Sequence, residues 1–327
     1  MKIVRKSALL VAKVAVSAAL LIYVLSKSDT TTLLRLVRTG DPLLLGVAAL
    51  LYVIVVGISI WRWQLLLKAQ GYPAPLRELS ASYLVATFFN NFLPSNIGGD
   101  LIRVRDGKKL TGSLTSSLAV VAIDRIVGFG ALYLLAAVAY VLGGAQLRAL
   151  AGARLVVFGL GAFFALLAYI FFRPGVARRW MAKSGLGSLP WAQERFETVQ
   201  EAVHVYRTEV GVVWTAFAGS VALQALIVFY FLCVARALRI GLPLGACFLM
   251  VPLCGLIQSV PISFNGWGLR ESVFVLYFGQ IGLPADQALA FSLVGAGLVV
   301  LLSLSGALVW TSRSRAREAA TASSEPS

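Results

Sequence analysis

Apolar residues run almost unbroken through six stretches of the chain, at about 8–25, 43–60, 114–142, 153–172, 211–235 and 285–310. Each approaches or exceeds the roughly 20 residues that a helix needs to cross about 30 Å of hydrocarbon. A spanning segment has to pair its own backbone groups there, so each stretch predicts a transmembrane helix. The first follows Lys2, Arg5 and Lys6, as a signal peptide would. Its apolar run is too long for a signal h-region and no small-x-small site follows Leu25, which predicts a retained span. The second ends at Trp61-Arg62-Trp63, residues suited to a membrane interface.

Two further apolar regions, 79–102 and 243–282, are broken internally by Pro, Gly, Asn and Ser. The first carries Asn90-Asn91-Phe92-Leu93-Pro94-Ser95-Asn96-Ile97-Gly98-Gly99-Asp100-Leu101-Ile102-Arg103. The second carries Gln258-Ser259-Val260-Pro261-Ile262-Ser263-Phe264-Asn265-Gly266-Trp267-Gly268-Leu269-Arg270-Glu271. At an offset of 167 residues Pro94 meets Pro261, Gly99 meets Gly266 and Arg103 meets Arg270, with an amide, Asn91 or Gln258, three places before each proline. Proline ends a half-helix by removing a donor, and glycine lets the chain reverse. Both regions therefore predict re-entrant hairpins. The fold expected is an all-α polytopic membrane protein with about six full spans plus two re-entrant broken-helix hairpins in an inverted repeat. A hydropathy count alone would return about eight spans.

Composition agrees. Hydrophobic residues make up 59% of the 327, charged residues 13%, and the mean hydropathy is +0.84, against about 25% charged in a soluble domain. The net charge of +15 would suggest nucleic acid in a soluble protein. Here it fits the excess of Lys and Arg in cytoplasmic loops, and no nucleic-acid partner is expected. With the N-terminus cytoplasmic and each broken region entering and leaving on one side, 19 basic residues fall on the cytoplasmic side and 7 outside. Lys13, Arg125 and Arg270 lie within the spans. Both termini are then cytoplasmic.

The breaks carry the candidate chemistry. Irregular backbone at membrane depth survives only when buried in protein or lining a wet cavity. The half-helix after each break points N–H groups and a positive dipole end at that cavity. A guanidinium one turn further on can grip a phosphate bidentately. The candidate headgroup ligands are Asn91, Ser95, Asn96, Gly98, Gly99, Asp100 and Arg103 at the first break, and Ser263, Asn265, Gly266, Gly268 and Arg270 at the second. Against this, Arg103 could be a cytoplasmic anchor, Asp100 an N-cap and Glu271 a neutralising partner of Arg270. Asp124-Arg125, inside 114–142, is a functional candidate by its position. Adjacent helical residues do not face each other, so these two should find partners on other helices. Asp124, Arg125 and Glu271 are thus either couplers of a proton or ion, or a structural clamp.

Residues Ala192, Phe196, Val199, Val203, Tyr206 and Val210 recur at spacings of four and three within the loop 173–210, predicting an amphipathic helix on the membrane surface or the bundle. The tail 311–327 is short and polar and reads as disordered. Cys233, Cys247 and Cys254 lie in apolar stretches without CxxC spacing, and His204 is the only histidine. No disulfide framework, metal site or other cofactor is expected. No GxxxxGK[ST] motif occurs, so nothing points to direct use of ATP.

The stretch Asn90-x-x-x-Pro94-Ser95-Asn96-x-Gly98-Gly99-Asp100-x-x-Arg103, the Asp124-Arg125-x-x-Gly128 element and Pro261-x-Ser263-x-Asn265-Gly266-x-Gly268-x-Arg270-Glu271 resemble the flippase-like transmembrane domain of lysylphosphatidylglycerol synthase. The same domain forms the stand-alone YbhN-type and hopanoid-associated membrane proteins. The likeness covers about residues 10–310, so 1–310 reads as one flippase-like domain with repeat halves near 43–172 and 211–310. It implies a bacterial inner-membrane protein that binds membrane lipids and moves a phospholipid or isoprenoid-type lipid between leaflets. The synthase carries a soluble aminoacyl-transfer domain after its membrane part; this chain ends 17 residues past Trp310, so lysyl transfer is not expected. The protein is accordingly expected not to be an enzyme. A membrane-embedded lipid-modifying transferase is the alternative, as is a non-transporting accessory protein that docks a lipid-biosynthesis enzyme through 173–210.

Overall fold

The computed structural model describes residues 15–26, 29–93, 98–150, 152–183, 190–259 and 263–322. It is all-helical, with no strand among the described residues. Helix α1 is described over Ala15–Ser26, and the rest of the first expected span, with Lys13, lies outside the described residues. The other helices are α2 (Thr30–Arg38), α3 (Pro42–Ala69), α4 (Leu76–Phe92), α5 (Gly98–Thr111), α6 (Leu114–Leu142), α7 (Gly144–Arg148), α8 (Ala153–Phe172), α9 (Pro174–Lys183), α10 (Pro190–Thr208), α11 (Val210–Ala237), α12 (Leu244–Gln258), α13 (Leu269–Gly279) and α14 (Ala285–Ala322). Five of these, α3, α6, α8, α11 and α14, are long and apolar enough to cross a membrane.

The order long helix, half-helix, break, half-helix, long helix occurs twice, as α3–α6 and as α11–α14. Helices α3 and α11, both of 28 residues, run antiparallel. Two bonds fix this arrangement. At one end Asp41 N donates to Ala237 O (3.0 Å); at the other Tyr206 Oη, just before α11, donates to Leu66 O (3.0 Å). Because α4 follows the end of α3 and α12 follows the end of α11, the two broken hairpins enter the bundle from opposite ends. Each half then packs across the other, α4 against α14 and α12 against α6.

Local chemistry explains the ends. Pro42 takes the first position of α3, where a missing donor is harmless, and Asp41 caps that helix by accepting from Leu43 N (2.8 Å). Leu66 O belongs to the last turn of α3, whose carbonyls have no helical partner, and Tyr206 supplies one. Arg207 Nε does the same for Phe171 O in α8 (2.6 Å). Tyr206→Phe is expected to lower stability by about 1 kcal/mol, the net value of one such bond. Thermal unfolding in detergent checks this, and an unchanged midpoint would show that the cap contributes nothing.

The core is thickest around α12–α14, where Phe231, Phe274, Phe278 and Phe291 pack with ring centroids 5.1–5.8 Å apart. Around α8 the sides stay open: Leu155, Phe158 and Leu166 are exposed, as residues facing acyl chains would be.

Two expectations are corrected and one is met. The second span does not end at Trp61–Trp63 but runs on to Ala69, with Arg62 and Trp63 buried; a buried carboxylate, not the headgroup layer, receives the arginine. The tail after 310 is helical as far as Ala322, because its Ala, Arg and Glu residues are good helix formers that simply prolong α14. The amphipathic helix expected within 173–210 is α10, which follows α9 and packs on the bundle through the buried Tyr206.

Candidate functional site

The first hairpin closes at Gly99. Its N–H donates to Asn90 Oδ1 (2.7 Å), and a Cβ there would run into Ala86 O and the Asn90 side chain. Only glycine lets α5 approach α4 this closely. In the second hairpin Gly268 has φ +79° and caps α13. Its N–H donates to Glu271 Oε2 (2.7 Å), and a side chain there would meet Ser17 O of α1. Ser17 Oγ in turn accepts from Phe264 N (2.7 Å). The hairpins meet where Asn265 Nδ2 donates to Asn91 O (3.2 Å).

Between them lies a cavity of about 440 Å³. Its walls hold four arginines, Arg62, Arg103, Arg125 and Arg270, and two aspartates, Asp100 and Asp124. Five of these charges form an alternating strip. Arg62 Nε binds Asp124 Oδ1 (2.6 Å), Asp124 Oδ2 binds Arg103 Nη1 (2.9 Å), Arg103 Nη1 lies 3.6 Å from Asp100 Oδ1, and Asp100 Oδ2 binds Arg125 Nη2 (2.7 Å). Three cations against two anions leave one net positive charge. The strip ties α3, α6 and α5 together, and Arg62 Nη1 adds α11 by donating to Ser220 Oγ (2.6 Å). Asp124 lies ten residues into α6, about 15 Å from its start.

Arg62, Arg103 and Asp124 are 7%, 4% and 2% exposed, so removing any one would strand a buried charge. Arg103 sits over the rings of Trp63 (4.8 Å) and Tyr83 (5.3 Å), and its Nε and Nη2 have no hydrogen-bond partner among the described residues. The aromatic faces supply part of what those donors lack. Arg125, whose side chain is 35% exposed, is the end of the strip most open to the cavity. Across the cavity Arg270 pairs with the fully buried Glu271, donates to Ser292 Oγ (3.0 Å) and lies 4.9 Å over Trp267.

Of the residues singled out from the sequence, Asn91, Asp100, Arg103, Asp124, Arg125, Asn265 and Arg270 line this cavity together. Gly98, Gly99, Ser263, Gly266, Gly268 and Glu271 do not line it; the glycines shape the two breaks, Glu271 braces the second, and Ser263 is buried beside it. Ser95 and Asn96 lie outside the described residues, as do Pro94 and Pro261. The sequence reading missed Arg62, Tyr52, Tyr83, Gln224 and Tyr230, all of which line the cavity. For Gln224 there was a signal, a lone amide midway along an apolar run.

A family model described as the lysylphosphatidylglycerol synthase TM region matches residues 10–306. No curated protein matches the chain. The match and the five long apolar helices make this a multi-pass membrane protein.

Proposed function

The chain belongs to the family of the lysylphosphatidylglycerol synthase TM region, and on that premise we propose that it binds a lipid headgroup in its central cavity and passes the lipid between leaflets. One observation carries the reading: a 440 Å³ cavity between two broken hairpins, lined by four arginines and only two carboxylates. An anion set beside Arg125 would prolong the alternating strip by one member, and Arg270 faces it from the second hairpin. Charge-assisted bonds from guanidinium to phosphate are the strong kind. We read the hairpins as re-entrant and the halves as an inverted repeat, because they enter from opposite ends of the antiparallel α3–α11 pair. That arrangement suits a site near the midplane that either side can reach in turn.

In this reading Asp100, Asp124 and Glu271 are clamps that hold arginines in place, and movement is passive. The chain sits in a bacterial inner membrane with both termini on the cytoplasmic side, following its basic loops. It does not modify the lipid. Even with Arg62 and Arg103 moved from the cytoplasmic tally to the cavity, 17 basic residues face 7.

The test is exchange of a fluorescent phosphatidylglycerol in proteoliposomes, read by quenching of the outer leaflet. Wild type should exchange the label, and Arg270→Ala should slow exchange at least about tenfold, a loss of roughly 1.4 kcal/mol. Arg125→Gln, at a more open position and with an amide that can still donate to Asp100, should do the same with a smaller loss of melting temperature than Asp124→Ala. Undiminished exchange in a folded Arg125→Gln protein would refute the headgroup role.

A further inference from the structure

We infer that the cavity opens toward the cytoplasm, and that an ion cluster centred on Asp106 is the gate at that end. This rests on the reading of the cavity as a headgroup site and adds which end of it moves. Asp106 is buried. Its Oδ1 accepts from Arg105 Nη2 (3.2 Å), and its Oδ2 accepts from Arg313 Nη1 (3.2 Å) and Ser82 Oγ (2.9 Å). Arg105 also lies 5.7 Å over Trp310. One residue of α5 thus joins α4 to the far end of α14.

Helical register sets this cluster at the mouth of the cavity. On α4, Ser82 stands four residues before Ala86 and eight before Asn90, both of which line the cavity; on α5, Asp106 stands three residues past Arg103 and six past Asp100, which line it too. Residues three and four apart are neighbours on a helix face. Ser82 and Asp106 therefore continue the lining stripes, toward the end where α4 begins and α14 leaves the bundle. In the topology proposed above that end is cytoplasmic.

The opposite end is built differently. Four residues beyond the lining residues Leu132, Val251 and Phe274, the stripes of α6, α12 and α13 reach Ala136, Cys247 and Phe278, all buried and uncharged. At the 167-residue offset that pairs the two breaks, Asp106 falls on Val273 and Ser82 on Leu249, both buried apolar side chains. A phosphate leaving that way would shed its water with nothing to replace it, a heavy cost for an ion. The Asp106 end offers guanidiniums in exchange. The side chains of Arg105 and Arg313 are 43% and 31% exposed, and ion pairs so open to water hold weakly. Both arginines can swing out while Ser82 keeps its bond to Asp106, so the cluster closes the cavity without sealing it.

Thiol labelling in inverted and right-side-out membrane vesicles tests this. A cysteine is placed in the cavity at Thr87, the probe is a membrane-impermeant maleimide, and the parent protein is the blank for Cys233, Cys247 and Cys254. Thr87→Cys should label from the cytoplasmic side alone. Arg313→Gln should speed that labelling at least about threefold, as loss of one exposed ion pair allows, and Arg313→Lys should restore the slow rate. Labelling from the opposite side, or an unchanged rate in Arg313→Gln, would overturn the gate. As a second check, Ser82→Cys and Arg313→Cys are joined by a bis-methanethiosulfonate tether. Exchange of fluorescent phosphatidylglycerol should stop and return on reduction, which a merely structural change would not do; exchange that ignores the tether would also overturn the gate. A wild type that exchanges no lipid yet labels from the cytoplasmic side would sink the transport reading and leave the gate standing.

Discussion

Asp124→Ala is expected to be the most damaging single substitution in this protein. It leaves the guanidiniums of Arg62 and Arg103 beside each other, both buried and stripped of the carboxylate between them. Removing one partner of a buried ion pair costs about 3–5 kcal/mol, because the remaining charge has neither water nor counter-charge. Here Arg62 loses its carboxylate and Arg103 keeps only Asp100, at 3.6 Å. The strip also holds α3, α5 and α6 in register, so its loss should loosen the bundle around the cavity. Thermal unfolding in detergent should show a large fall in midpoint or failure to recover folded protein. Lys108→Ala, at an exposed position of α5, should change little. An Asp124→Ala protein melting with wild type would mean the strip is ornamental, and the clamp role assigned to Asp124 would be lost.

The second large effect is expected at Gly99. An alanine methyl would collide with the Ala86 carbonyl and with Asn90, and neither has slack: one is helix backbone, the other is bonded to Gly99 itself. The hairpin must open, at a cost of about 1–3 kcal/mol for overpacking. The same movement shifts Asp100 and Arg103, which follow directly on α5, so lipid exchange should fall with stability. Gly57→Ala is the matched control. Its Cβ would meet nothing within 4 Å, and in the middle of α3 alanine should be neutral or stabilising by about 0.5–1 kcal/mol. Equal melting of the two variants would show that α4 and α5 are not in close contact at Gly99.

The spans and the two breaks were legible because hydropathy, proline and glycine act locally. The need of Asp124 and Arg125 for partners on other helices was legible too, since neighbours on a helix cannot pair. Their identity was not. Arg62 stands 62 residues from Asp124, and Trp-Arg-Trp at the edge of an apolar run reads the same whether the arginine meets phosphate headgroups or a buried carboxylate. Arg103 and Arg270 stand out as cations after a break, yet the sequence alone does not tell a ligand's phosphate from an internal acid. The structure gives each an internal acid first, Asp124 and Glu271; Arg125 is paired too, with Asp100, and is set apart only by its greater exposure. Helix propensity in the tail was outvoted by its polarity, although the two do not conflict once a helix has left the membrane.

The contact between the hairpin tips has a mechanical meaning. The charged side chains around the cavity are held by ion pairs, whereas among the described residues the two hairpins are joined by an amide-to-carbonyl bond, Asn265 to Asn91. A bond of that kind is worth about 1 kcal/mol, within twice thermal energy. Breaking that latch would leave the ion pairs around it untouched, since neither Asn265 nor Asn91 takes part in the strip or in the Arg270–Glu271 pair.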